Sequence, residues 1–147
     1  MSDGTSIWTG HVDLTKATEL ARGTMIEHLG IEYTELGPDF LRGTMPVDGR
    51  TIRPFGILHG GASVALAETL GSMAANLCVD RSTQMCVGLD ISANHVRQVT
   101  EGMVTGTARP LHLGGSTQVW EIRIDDEAGR LVSVSRLTMI VLDRERQ

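Results

Sequence analysis

Hydrophobic and polar positions change their period several times along the 147-residue chain, and each change marks an element. In residues 13–29, Leu14, Ala17, Ala21, Met25 and Leu29 recur at three- and four-residue steps, which predicts helix. Asp13 is placed to cap its start and Gly30 to end it, while Gly23 weakens the middle, so two shorter helices fit equally well. Residues 31–36 and 40–47 read as strands joined at Gly37-Pro38-Asp39, a hairpin signal. Residues 46–50 then break regular structure. From Gly60 the chain is rich in Ala, Leu, Met and other small residues and lacks proline, which predicts a helix of about five turns. It is apolar on nearly every face, so it is expected to be buried. Residues 87–94 switch to period two: Val87, Leu89, Ile91 and Ala93 alternate with Gly88, Asp90, Ser92 and Asn94, the pattern of a half-buried strand. Three more strands follow at 103–112, 119–124 and 131–142, with Glu121 and Arg123 expected to face out. Gly114-Gly115 and residues 125–129 supply the turns between them. The polar first ten residues are expected to fray, and 1–12 to be flexible.

Helix and strand segregate in this order, which is α+β architecture: an antiparallel sheet wrapped around one long central helix. No repeat, linker or low-complexity segment divides the chain, so 1–147 is expected to form a single domain. Aromatic residues are only 3%, which calls for an aliphatic, Met-filled core. The net charge of −5 and the scattered basic residues argue against a nucleic-acid partner. No basic segment precedes an apolar one at the start, so no signal peptide is expected. The central run is interrupted by glycine and carries a carboxylate, which makes it a poor membrane span. Cys78 and Cys86 form no CxxC and read as free core thiols of a cytoplasmic protein.

The chemistry is concentrated in the central stretch. Between Pro54 and Val79 one residue is formally charged, Glu68. A carboxylate in a buried helix is costly unless it is paired or used. Glu68 and Ser72 lie four residues apart and share a face. His59 and Glu68 lie nine residues apart, roughly 900° of rotation and ~13 Å of rise, so within one helix they point to opposite sides. If both serve one site, that site combines two copies of the helix, hence a symmetric dimer. Gly60-Gly61 opens the helix, where free N–H groups and the helix dipole can hold a carbonyl oxygen that is gaining negative charge. A polarised carbonyl and a desolvated carboxylate suit acyl-group hydrolysis, with Glu68 as nucleophile or general base. No Ser-His-Asp triad, GxSxG elbow, HExxH or Walker motif is present, and no metal site is expected. The plain alternatives are a structural ion pair of Glu68 with Arg53 or Arg136 and a mere turn at Gly60-Gly61. For His95, Arg97 and His112, taken singly, the plain alternative is solvated surface.

Pro54-Phe-Gly-Ile-Leu-His-Gly-Gly-Ala-Ser63 followed by Leu66-Ala-Glu-Thr-Leu-Gly-Ser72 resembles the hotdog-fold acyl-CoA thioesterases, in the PaaI/4-hydroxybenzoyl-CoA thioesterase branch with a helix glutamate. Met45-Pro-Val-Asp48, Ser92-Ala-Asn-His-Val-Arg97, Pro110-Leu-His-Leu-Gly114 and Val119-Trp-Glu-Ile122 are similar to that branch too, so the resemblance covers roughly residues 25–142.

The resemblance implies a dimer with a continuous sheet, usually paired again into a tetramer, with active sites at the dimer interface. It implies Glu68 as the catalytic carboxylate and the partner subunit's Gly60 as the N–H that polarises the thioester carbonyl. His59 lies beside it and, with Arg53, is implied in the catalytic set, while Gly61 is implied in substrate binding. Ser72 is implied to position water or substrate near Glu68. His95, Arg97 and His112, with Gly114 in the matched segment, are implied to contact CoA, where cations can pair with phosphate. Where the family has Gln before Pro-Phe-Gly, this chain has Arg53, which can hydrogen-bond the carbonyl, pair with Glu68 or reach a CoA phosphate. The expected activity is hydrolysis of an acyl-CoA, an aromatic one included, with CoA as part of the substrate and no other cofactor. The alternatives are an acyl-thioester hydratase or dehydratase and a non-catalytic acyl-CoA-binding protein.

Overall fold

The computed structural model describes residues 5–145. Its elements run α1 (Leu14–Leu20), α2 (Met25–His28), β1 (Glu32–Leu36), β2 (Leu41–Pro46), α3 (Gly60–Leu77), β3 (Gln84–His95), β4 (Met103–Leu113), β5 (Thr117–Asp125) and β6 (Leu131–Asp143). The N-terminal helical pattern divides in two. Asp13 caps α1 by accepting from the Thr15 N–H, and Gly23 takes a positive φ between the helices. The six strands form one antiparallel sheet in the order β1-β2-β4-β5-β6-β3.

The sheet closes on α3 through the inward face of each strand. Leu66, Leu70, Ala67, Ala74 and Ala75 of the helix and Trp120, Ile122, Ile124, Leu137 and Met139 of the sheet are wholly removed from solvent. Close approach depends on missing side chains. Gly43 and Gly106 are register partners across β2 and β4, and a Cβ on either would come within 2.7 or 2.6 Å of a Leu70 methyl. The Leu70 side chain fills the space that these two glycines leave.

Three expectations change here. First, α3 is not buried all round. The sheet covers one side, and Glu68, Thr69, Ser72, Met73 and Asn76 on the other are only half-buried because no second sheet covers them. Second, residues 7–9 are docked rather than frayed. The Ile7 N–H donates to the Pro38 carbonyl, the Thr9 N–H to the Leu77 carbonyl and the Trp8 indole to the Gly37 carbonyl, while Trp8 stacks on Trp120 at 6.3 Å between ring centroids. Residues 1–4 of that segment lie outside the described residues. Third, β3 ends the sheet, so its alternating face meets no layer along most of its length. Val87 is 40% and Leu89 59% exposed. A period-two pattern marks two faces but does not say what covers them.

Candidate active site

Glu68 projects from the middle of α3 into a cleft of about 540 Å³ that it shares with Tyr33, Thr69, Ser72 and Asn76. Glu68, Ser72 and Asn76 follow one another at four-residue steps and line the same side, as helical spacing requires. Glu68 makes no ion pair among the described residues, and Arg136 borders a different cleft with Glu121, its register partner. Among the described residues the structural ion pair is therefore absent, and the carboxylate is left for other use.

Two residues that sequence reasoning missed shape this cleft. A Cβ on Gly88 would come within 2.6 Å of Glu68 Oε1, so the carboxylate lies against the β3 backbone, where a register irregularity between Gly88 and Asp90 interrupts the ladder with β6. A glycine within a strand is a recognised mark of such an approach. Asn76 ties helix to strand. Its Nδ2 donates to the Ser72 carbonyl at 2.9 Å and the Cys86 carbonyl at 3.1 Å, and its Oδ1 accepts from the Cys86 N–H at 2.8 Å. Neither role has a local sequence signal beyond residue type and position.

A second cleft, of about 440 Å³, brings together Arg53, Gly60, Ser63, His95 and Arg97. The His95 ring lies over the helix start, since a Cβ on Gly60 would be 3.0 Å from His95 Nε2. The Gly61 N–H is taken by His59 Nδ1 at 2.8 Å, whereas the Gly60 N–H has no partner among the described residues. Arg53 donates to the Pro54 carbonyl at 2.9 Å and stays in this cleft, away from Glu68. None of the described residues lines both clefts.

His59 departs from the rotational expectation. With Gly61 it lines a third, smaller cleft that shares Met25 and Ala65 with the Glu68 cleft. His59 is the N-cap, with φ −69° and ψ 130°, so the helical angle per residue does not apply to it. The rise of ~13 Å along the axis, not rotation, keeps it from Glu68. His112 packs over Gly114 at the β4–β5 turn, and within the chain neither joins a cleft with Gly60 or Glu68.

Both cysteines are free, and burial pushes the Cys78 thiol up to about 12 and raises that of Cys86. Neither supplies a thiolate at neutral pH. Tyr33, raised by burial, keeps its phenolic proton. Among the described residues no three His, Cys, Asp or Glu side chains gather as a metal site, and no helix is long and apolar enough to cross a membrane.

This constellation has known counterparts, and the sequence pattern of the thioesterase superfamily matches residues 55–133. The chain belongs to the thioesterase superfamily. It is 56% identical over 92% of its length to the proofreading thioesterase EntH of Cronobacter turicensis, 98% of which is covered. It is 51% identical over 92% of its length to the 1,4-dihydroxy-2-naphthoyl-CoA hydrolase of Escherichia coli, 99% of which is covered. Among solved structures, a thioesterase from Pseudomonas aeruginosa superposes with a TM-score of 0.93 at 46% identity, covering 95% of this chain and 100% of that one. A thioesterase from Haemophilus influenzae gives 0.91 at 48% identity, covering 93% and 95%. The α3-centred sheet is thus the hotdog fold, and this thioesterase carries its family pattern from the Phe55 turn through α3 to Ser133 of β6.

Proposed function

We propose that this thioesterase hydrolyses acyl-CoA thioesters, aromatic acyl groups included, at sites shared between two copies of the chain. The observation that carries the reading is the separation just described. A carboxylate and a helix-start N–H, neither with a partner among the described residues, lie in different clefts of one protomer. The exposed edge of β3, with Val87 and Leu89 in the open, supports pairing with a second copy, which would bring Gly60 of one subunit toward Glu68 of the other. The proposed assembly is this homodimer, paired again into a dimer of dimers in the cytoplasm, without metal or redox cofactor.

In this reading the Gly60 N–H holds the carbonyl oxygen as charge develops on it, aided by the positive end of α3. Glu68 either attacks the carbonyl carbon itself or takes a proton from the water that does. The C–S bond then breaks, and the sulfur leaves as thiolate and takes up a proton. In the first case water hydrolyses the anhydride afterwards. After a single turnover in heavy-oxygen water, label in Glu68 would identify it as the nucleophile, with water having attacked the glutamyl side of the anhydride. Ser72 lies one turn along from Glu68 to orient water or substrate, and the cations Arg53 and Arg97, with His95, border the route for the CoA phosphates.

The test is thiol release from benzoyl-, hydroxynaphthoyl- and aliphatic CoA thioesters and from acyl-carrier-protein thioesters. Turnover of CoA thioesters is expected. Reversible water addition to an enoyl-CoA without thiol release, or tight binding without turnover, would overturn the reading.

Gly88→Ala should lower kcat by ~10- to 100-fold, since a displacement of about 1 Å at a reacting group has consequences of that size. The new methyl clashes with the movable end of Glu68 and meets Met139 Sδ at an ordinary 3.8 Å, so the thermal midpoint should hardly move. Unchanged kcat would show that the Gly88 contact does not set the carboxylate.

A further inference from the structure

Two arginines line the Glu68 cleft. Arg81, just past the end of α3, and Arg144, just past the end of β6, both border it. Each is tethered by one main-chain carbonyl: Arg81 Nη1 donates to Thr9 at 3.4 Å and Arg144 Nε to Gln84 at 3.1 Å. A guanidinium has five N–H donors, so most of each fork stays unused. Neither arginine forms an ion pair among the described residues. Asp80, adjacent to Arg81, is held below the usual carboxylate range chiefly by the hydroxyl and N–H of Ser82 and only last by the charge of Arg81, with which it forms no ion pair. The chain is acidic overall, so the two cations are not part of a general basic surface.

We propose that this cleft takes an acyl group whose far end carries a carboxylate, held by Arg81 and Arg144. The inference rests on Glu68 marking the reacting end. The CoA arm then leaves toward the partner's Gly60 cleft, and the acyl arm runs along α3. Its walls fit such a group, with Leu20, Met25, Ile26 and Met73 offering apolar contact to methylenes or an aryl ring. Asn76 stands two turns beyond Glu68, about 12 Å along the axis, and Arg81 follows five residues later, past the end of α3. At ~1.2 Å per bond, as in an extended backbone, an acyl chain of about eight carbons plus one hydrogen-bond contact spans that length. The planar fork of arginine suits a terminal carboxylate, which it can bind through two N–H groups.

The experiment compares suberyl-CoA with octanoyl-CoA, which differ by the terminal carboxylate, and reads the ratio of their kcat/KM values. The wild type should favour suberyl-CoA, and the preference should shrink as salt rises. Arg81→Gln and Arg144→Gln should each reduce the ratio about five-fold, the size of an exposed ion pair, and the Lys variants should keep part of it. A wild-type ratio below one overturns the proposal. So does an equal loss on both substrates, which would assign the arginines to CoA or to the fold. Hydrolysis of octanoyl-CoA without an arginine-dependent preference overturns this inference alone. No thiol release from any acyl-CoA would overturn the acyl-CoA hydrolase reading and this inference with it.

Discussion

Glu68→Gln is expected to lower kcat for acyl-CoA hydrolysis by roughly 10³-fold while leaving KM within a few-fold. The substitution keeps the shape of the side chain and removes only its capacity to accept a proton or attack a carbonyl, a capacity worth ~10²- to 10⁴-fold when a positioned group supplies it. Structural side effects should be small. Glu68 forms no ion pair among the described residues, so neutralising it strands no cation. It is half-buried against the Gly88 backbone and fronts a cleft, so an amide of the same size fits the same place. Thermal melting checks the fold and steady-state kinetics check the chemistry. A kcat within ten-fold of wild type would remove Glu68 from the reaction.

Mixing two inactive variants should restore activity to about a quarter of wild type, because equimolar exchange makes half of the dimers mixed and each mixed dimer holds one intact site. One parent is Glu68→Gln. The other is Gly60→Pro, which deletes a single N–H, and the backbone is already suited to it. Gly60 is the first residue of α3, a position where proline is tolerated, and His59 before it has the extended conformation that proline imposes on its predecessor. Loss of one carbonyl-polarising donor is worth ~10²- to 10³-fold, so either parent alone is nearly silent. The contact with His95 is to the movable end of a side chain. A site contained within one chain would show no recovery on mixing, since each protomer would carry one lesion.

Most of the fold was legible because period is a local property. The 18-residue α3, the β1–β2 hairpin and the later strands all follow from runs of apolar residues bounded by glycine or proline turns. The site was legible in part for a related reason: one carboxylate in an apolar helix and a glycine pair at its start are both local departures from pattern. What escaped reading is tertiary. Nothing near Trp8 announces that it will stack on Trp120, more than a hundred residues away. Helical arithmetic misjudged His59 because an N-cap is only half in the helix. Gly88 looked like one more polar-face position until β3 was seen to pass beside Glu68. The apolar face of β3 was read correctly as a face, but a single chain does not contain the surface that would cover it.

The Asn76 amide has a consequence for assembly. By taking both the N–H and the carbonyl of Cys86, it blocks the β3 edge at that point much as a neighbouring strand would. A second chain that adds to this sheet can form its ladder only beyond Cys86, along residues 87–95. One side chain on the helix thereby limits the offset at which two copies can align and excludes the longer, slipped pairings that an open edge would permit.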